Sequence, residues 1–190
     1  MTLEGKKVAF LVAEGVEDLE YYVVAMRLQE EGMVVLTAAM DVNPIKGKNG
    51  LVIKPDTKIE DLIAGDLFGL VLPGGWAPDK LRRYKQATDL VANVNKQGKI
   101  IGIICHGGLL AISAKIVAGK KTIGSLGIKD DLLNAGASWV DEPAFRDGNQ
   151  VWGRVVADIP AFNRELIAAF REAPLERKRG LTGGKIPIEH

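Results

Sequence analysis

The stretch Lys99-Ile100-Ile101-Gly102-Ile103-Ile104-Cys105-His106-Gly107-Gly108 decides how this chain is read. After Lys99 its first residues run apolar to Ile104, as expected of a strand buried on both faces. A reactive polar residue stands at the end of that run. Two glycines and a helix of small and apolar residues, expected from His106 to Val117, follow it. A strand that turns sharply into a helix exposes the side chain at the turn, and glycines let the helix pack close; this is the recipe of a nucleophile elbow. The helix N-terminus offers free N–H groups and partial positive charge, which favour thiolate over thiol. A charged His106 is expected to push the same way. The bland reading of Cys105 is a buried small hydrophobe, as free cysteines often are. The elbow context favours the nucleophile.

Outward from the elbow, short apolar runs alternate with amphipathic stretches, the pattern of an α/β sandwich with a mostly parallel sheet. Strands are expected at Lys7 to Ala13, Met33 to Met40 and Phe68 to Leu72. Helices are expected at Val16 to Glu31, Ile59 to Ala64, Pro78 to Gln97, Ile128 to Asn134 and Pro160 to Ala173. Between Asp41 and Asp56 the chain is rich in Gly, Asn, Lys and Pro, with a β-like Leu51 to Lys54. A small hairpin leaning off the main sheet is expected there. Thr122-Ile123, Ser138 to Asp141, Ala144-Phe145 and Val151 to Val155 read as edge or hairpin strands around Asp147-Gly148-Asn149. The expected organisation is one domain over residues 1–173 and a basic, Gly-rich tail over 174–190 that docks onto a partner subunit.

Composition excludes several classes. The 190 residues suffice for one full-sized core, and the net charge of +1 carries no pull toward nucleic acid. No apolar segment reaches the length of a membrane span, and no secretory leader is read at the N-terminus. The single cysteine allows no internal disulfide and no thiolate cluster for zinc. The expected location is the cytoplasm, with no metal, no membrane and no nucleic-acid partner.

Two further clusters carry chemistry. Leu72-Pro73-Gly74-Gly75-Trp76-Ala77-Pro78-Asp79 places glycines after a strand, where exposed backbone N–H groups suit an oxyanion hole. The bland alternative is a strand-to-helix turn with Asp79 matched to the helix dipole. Glu14-Gly15-Val16-Glu17-Asp18-Leu19-Glu20 has four acids in seven residues, which at a helix start are usually surface groups. Glu17 and Glu20 share a helix face, so either can reach inward. A carboxylate beside Cys105 raises the thiol pKa, whereas a protonated carboxyl donates to the thiolate and lowers it. A Cys-His-acid triad needs a histidine from far along the chain. The only histidines are His106 and the terminal His190, so the base is expected to be His106 or a carboxylate.

These residues resemble the ThiJ/PfpI superfamily, and within it the PfpI-like branch, from about Lys6 to Phe170. The resemblance rests on Glu17-Asp18-Leu19-Glu20, Leu72-Pro73-Gly74-Gly75, Ala77-Pro78, Ile104-Cys105-His106-Gly107 and Gly127-Ile128-Lys129-Asp130-Asp131. Asn134-Ala135-Gly136, Trp139-Val140-Asp141 and Asp147-Gly148-Asn149 extend it. It implies a flavodoxin-like three-layer sandwich, similar to class I glutamine amidotransferase domains but without their distant histidine. By position it implies Cys105 as nucleophile, Glu17 or Glu20 hydrogen-bonded to its sulfur, and His106 as the adjacent histidine. Backbone N–H groups around Gly74, Gly75, His106 and Gly107 match an oxyanion and substrate-binding wall. Asp79 matches a glutamate that PfpI-type proteases contribute across a subunit interface, so a homo-oligomer is implied. Three positions depart from the pattern: Asp79 is shorter than glutamate, Gly108 replaces a frequent proline, and Ser125 replaces a tyrosine.

The implied activity is glyoxalase-III-type or deglycase chemistry on reactive carbonyls, without a cofactor, on a small carbonyl compound or a glycated substrate. The alternatives are an intracellular cysteine peptidase with a peptide substrate and a non-catalytic redox-sensing or chaperone-like stress protein.

Overall fold

In the computed structural model, residues 2–173 are described. The chain runs β1 (Lys7–Leu11), α1 (Asp18–Glu30), β2 (Val34–Ala39), β3 (Ile45–Lys46), β4 (Val52–Ile53), β5 (Thr57–Lys58) and β6 (Gly69–Leu72). It continues α2 (Ala77–Leu81), α3 (Lys85–Lys96), β7 (Ile100–Ile104), α4 (Gly108–Ser113), β8 (Lys121–Thr122), α5 (Lys129–Asn134), β9 (Ser138–Trp139), β10 (Ala144–Asp147), β11 (Gln150–Gly153) and α6 (Ile159–Glu172).

The main sheet has the order β10-β11-β7-β6-β1-β2-β5. All its pairings are parallel except the β10–β11 hairpin at one edge. Its central strands are apolar on both faces because helices cover both. On one face Tyr21, Val24, Ala25 and Leu28 of α1, with Phe162, Leu166 and Phe170 of α6, pack over Val8, Phe10 and Val71. On the other, Leu81, Leu90, Val91, Leu110 and Leu132, from α2 to α5, cover Leu11, Leu72, Ile101 and Ile103. The result is a flavodoxin-like α/β sandwich.

The excursion at 45–53 is an antiparallel hairpin outside the main sheet, with Ile45 opposite Ile53. Three expectations are corrected. The helix expected from Pro78 to Gln97 is two, because Tyr84 is extended (φ −106°, ψ 121°) and caps α3 without a glycine or proline to announce the break. The stretch Ile59 to Ala64 holds no α-helix but a 3-10 turn at Ile59–Asp61, with a second one beginning at Ala64 (Ala64–Asp66). The helix expected from His106 to Val117 is a 3-10 turn at Cys105–Gly107 followed by α4 alone, and Lys115 beyond it is left-handed (φ 59°). The tail expected over 174–190, with His190, lies outside the described residues.

Candidate functional site

At the C-terminal end of β7, Ile104 is still extended (φ −129°, ψ 143°), and Cys105 turns to φ 58°. A β-carbon in that left-handed region costs about 1–3 kcal/mol and persists only where the surroundings enforce it. Two contacts enforce it here. Gly107 lies so close to the end of β6 that a β-carbon would collide with the Leu72 carbonyl oxygen. Gly74 lies so close to the elbow that a β-carbon would come within 2.8 Å of both Cys105 Cβ and the His106 nitrogen. The β6 and β7 ends are locked together, and the half-buried Cys105 side chain emerges between them.

A cleft of about 350 Å³ opens over the sulfur, lined by Glu17, Glu20, Lys48, Gly75, Trp76, Cys105, His106, Ser125 and residues 155–157. Of the four acids of the first loop, expected as surface groups on the bland reading, Glu14 is exposed but Glu17, Asp18 and Glu20 are buried, Glu20 at 0% and Asp18 at 1% exposure. Glu20 Oε2 accepts the Gly74 N–H at 2.7 Å. Its Oε1 is buried with no conventional hydrogen-bond partner. An ionised carboxylate is poorly supported there, since a buried acceptor without a donor keeps its full desolvation cost. Burial accordingly pushes the Glu20 pKa up to about 7, against the pull of the Gly74 N–H and of its hydrogen bond with Cys105.

The thiol moves in the same direction. Burial first, and the Glu20 charge second, push Cys105 up to about 12, although the His106 and Gly75 N–H groups hydrogen-bond to the sulfur. This corrects the expectation of a thiolate favoured by a helix end and a charged imidazole. The helix end is a 3-10 turn leading into the six-residue α4, too short to build much dipole. Burial also lowers the His106 pKa, so its ring is neutral at pH 7 and lends no positive charge. His106 Nδ1 lies 3.3 Å from Cys105 Sγ. Glu20 and Cys105 titrate as one coupled pair, with both protons held below about pH 7 and one left above it.

Glu17, the residue preceding α1, touches different partners. Its Oε1 accepts from Asn49 Nδ2 at 2.8 Å, and its Oε2 lies 3.4 Å from Lys48 Nζ. Of the two glutamates, Glu20 is therefore the one coupled to the sulfur. Asp18, whose role was not legible in the sequence, accepts the Asn49 and Leu51 N–H groups at 2.7 and 2.8 Å. It clamps the turn that brings Lys48 to the cleft. Gly75 is left-handed (φ +75°) and its β-carbon would meet the Glu17 nitrogen and the Gly15 carbonyl, so the chain passes there only as glycine. Among the described residues no group of three or more His, Cys, Asp and Glu side chains converges as a metal site.

The model of the DJ-1/PfpI family matches residues 6–169. The chain belongs to the DJ-1/PfpI family. Within the DJ-1/PfpI family it is similar to Deglycase PH1704 of Pyrococcus horikoshii, 40% identical over 161 residues that cover 85% of this chain and 97% of the relative. It is also similar to the Putative cysteine protease YraA of Bacillus subtilis, 34% identical, covering 84% and 95%. A solved two-domain protein from Anabaena variabilis, with DJ-1/ThiJ/PfpI-like and ferritin-like domains, superposes with a TM-score of 0.86 at 33% identity. The match covers 92% of this chain and 51% of that one.

Against the DJ-1/PfpI family pattern, the fold brings Glu17, Glu20, Gly74, Gly75, Cys105, His106 and Gly107 together. Asp79 is not among them. It lies exposed on α2 in an ion pair with Arg83. Ser125 lines the cleft, and Gly108 packs on Ile128 and Trp152. Lys48, Trp76 and residues 155–157 of the cleft were not singled out from sequence. Lys48 and residues 155–157 carry no motif and reach the elbow only through folding, whereas Trp76 directly follows Gly75 in the cluster after β6.

Proposed function

We propose that this single-domain chain, over residues 1–173, is a cysteine enzyme that acts on reactive carbonyls by glyoxalase-III-type or deglycase chemistry. The observation that carries the reading is the Cys105 sulfur at a strained elbow, in one cleft with the buried Glu20 carboxyl and with His106 Nδ1 3.3 Å away. Deglycase PH1704 at 40% identity supports the same class.

Glu20 accepts the thiol proton as Sγ adds to the aldehyde carbon of a 2-oxoaldehyde. The new carbinol oxygen takes that proton back, giving a hemithioacetal with no net change in protons. His106, neutral and 3.3 Å from the sulfur, removes the proton from that carbon and returns it to the adjacent one, while the carbinol O–H proton passes to the oxygen of the adjacent carbon. A 2-hydroxy thioester results. Water cleaves it to a 2-hydroxy acid and restores the thiol. Where the carbon already carries an amine, sulfur displaces the amine, which leaves with the thiol proton delivered by Glu20, and the same steps follow. Backbone N–H groups at Gly75 and His106, already engaged with the sulfur, are placed to meet oxygen charge at the neighbouring carbon.

Every step uses side chains and backbone of this chain, and the lone free cysteine suits a reducing, cytoplasmic setting. A homo-oligomer is part of the reading. The peptidase alternative, supported by the name of YraA, requires Asp79 to reach a neighbour's His106, whereas Asp79 pairs here with Arg83. Cys105→Ser is expected to abolish consumption of methylglyoxal and of a methylglyoxal-treated amine in a steady-state assay. Wild-type rates in that variant would sink the reading.

A further inference from the structure

The cleft is larger than the chemistry at its floor requires. A volume of about 350 Å³ is on the scale that holds a drug-sized ligand, and a three-carbon oxoaldehyde fills only a fraction of it. The remaining space is bounded by Trp76 and by Val155, Val156 and Ala157, an apolar wall beside an acid and cysteine floor.

Trp76 is 59% exposed. Lone exposed hydrophobic residues are ordinary on a protein surface. Trp76 differs in being part of the Cys105 cleft and in being held. Its N–H donates to the Gly15 carbonyl at 2.8 Å, fixing the backbone under the ring. Its indole lies on Gly15 so closely that a β-carbon there would stand 2.6 Å from Trp76 Cε3. The same turn is bolted by the Val16–Gly75 bridge and by Glu17 N–H donating to the Gly74 carbonyl at 3.2 Å. A rigid aromatic face binds at low entropic cost, because nothing remains to be ordered when a ligand arrives. Its π surface accepts flat, apolar and cationic groups alike.

We propose that Trp76 is a specificity-determining residue, whose fixed indole receives the chain that carries the reactive carbonyl, so that the site favours carbonyl adducts borne on an amino-acid side chain over free oxoaldehydes. The proposal rests on the carbonyl reading for the identity of the reacting group. A side chain that brings its adduct to Cys105 must leave through the mouth of the cleft, along the wall formed by Trp76 and residues 155–157.

The test uses an N-acetylated peptide whose arginine carries methylglyoxal, with the unmodified peptide and free methylglyoxal as comparisons. Binding is measured by calorimetry in the Cys105→Ser background, where no turnover intervenes. Trp76→Ala should weaken the modified peptide about tenfold, and Trp76→Phe should restore most of the affinity. In the Cys105-intact chain, the ratio of kcat/KM for the modified peptide to that for free methylglyoxal should fall about tenfold in Trp76→Ala. Unchanged affinity for the modified peptide, or an unchanged ratio, overturns the proposal. So does a Trp76→Ala chain whose only change is its sedimentation, which would make the indole a subunit contact. A wild type that turns over neither substrate refutes the carbonyl reading, while the binding experiment still decides the role of Trp76.

Discussion

Cys105 and Glu20 titrate as a coupled pair that loses its first proton near pH 7, and that sets the pH behaviour of both stability and rate. The Glu20 pKa rises from an ordinary 4.5 to about 7 because burial outweighs its hydrogen bonds. Folding therefore favours the protonated carboxyl. The stability this contributes is fully present below pH 4.5 and is lost as pH rises through about 7. The swing is about 3 kcal/mol. Glu20→Gln should flatten that part of the stability profile in urea unfolding at successive pH values; an unchanged slope would contradict the assignment. Rate runs the other way. Loss of the first proton from the pair near pH 7 creates the state in which Glu20 can take the thiol proton. The kcat/KM should rise through about pH 7 in the wild type, and that limb should vanish in Glu20→Gln. At this scale Cys105 was legible, since an apolar run ending in Cys-His-Gly-Gly has few other uses. The choice of Glu20 over Glu17 was not legible. Both share a helix face, and only the approach of the β6–α2 turn, with the Gly74 N–H, decides which of them meets the sulfur.

At the scale of elements, the turn at 47–51 shows how a remote segment becomes part of the site. Asp18 accepts two backbone N–H groups of that turn while itself 1% exposed. Hydrogen bonds to a charged acceptor contribute about 1.5–3 kcal/mol each, and removing the acceptor leaves both donors unpaired. Asp18→Ala should destabilise the fold by about 2–4 kcal/mol. It should also raise amide exchange at Asn49 and Leu51 selectively. Uniform exchange across the chain would mean that the clamp is not local. The hairpin itself was foreseen from its Gly, Asn and Pro content. Its contact with α1 was not, because Asp18 and Leu51 are joined only through tertiary structure. The break between α2 and α3 escaped for a related reason. Arg82, Arg83 and Tyr84 have no local preference strong enough to end a helix, and the break lets Arg82 Nε donate to Ser113 Oγ at 2.9 Å.

Across the whole molecule, the sheet holds the elbow by packing from behind. Phe162 of α6 is fully buried, and β-carbons built at Gly102 of β7 and Gly153 of β11 would lie 3.0 and 2.9 Å from its ring. Its ring therefore fills a depression in the strand pair that ends at Cys105. Phe162→Ala should cost about 3–5 kcal/mol in chemical denaturation, since the glycines leave no side chain to close the cavity. A loss below about 1 kcal/mol would show that α6 collapses onto the strands. The α/β alternation, the buried central strands and the cysteine at the strand-to-helix turn are all written locally along the chain. Each is a local pattern of apolarity, glycine and one reactive side chain, readable within a few residues. Tertiary structure alone decided that Cys105 is a coupled thiol in place of a helix-activated thiolate. It also decided that Glu20 is its partner, that Asp79 faces Arg83, and that Trp76 and Lys48 share the cleft. Proton affinity depends on burial and on charges brought from distant segments, and no spacing along the chain records either.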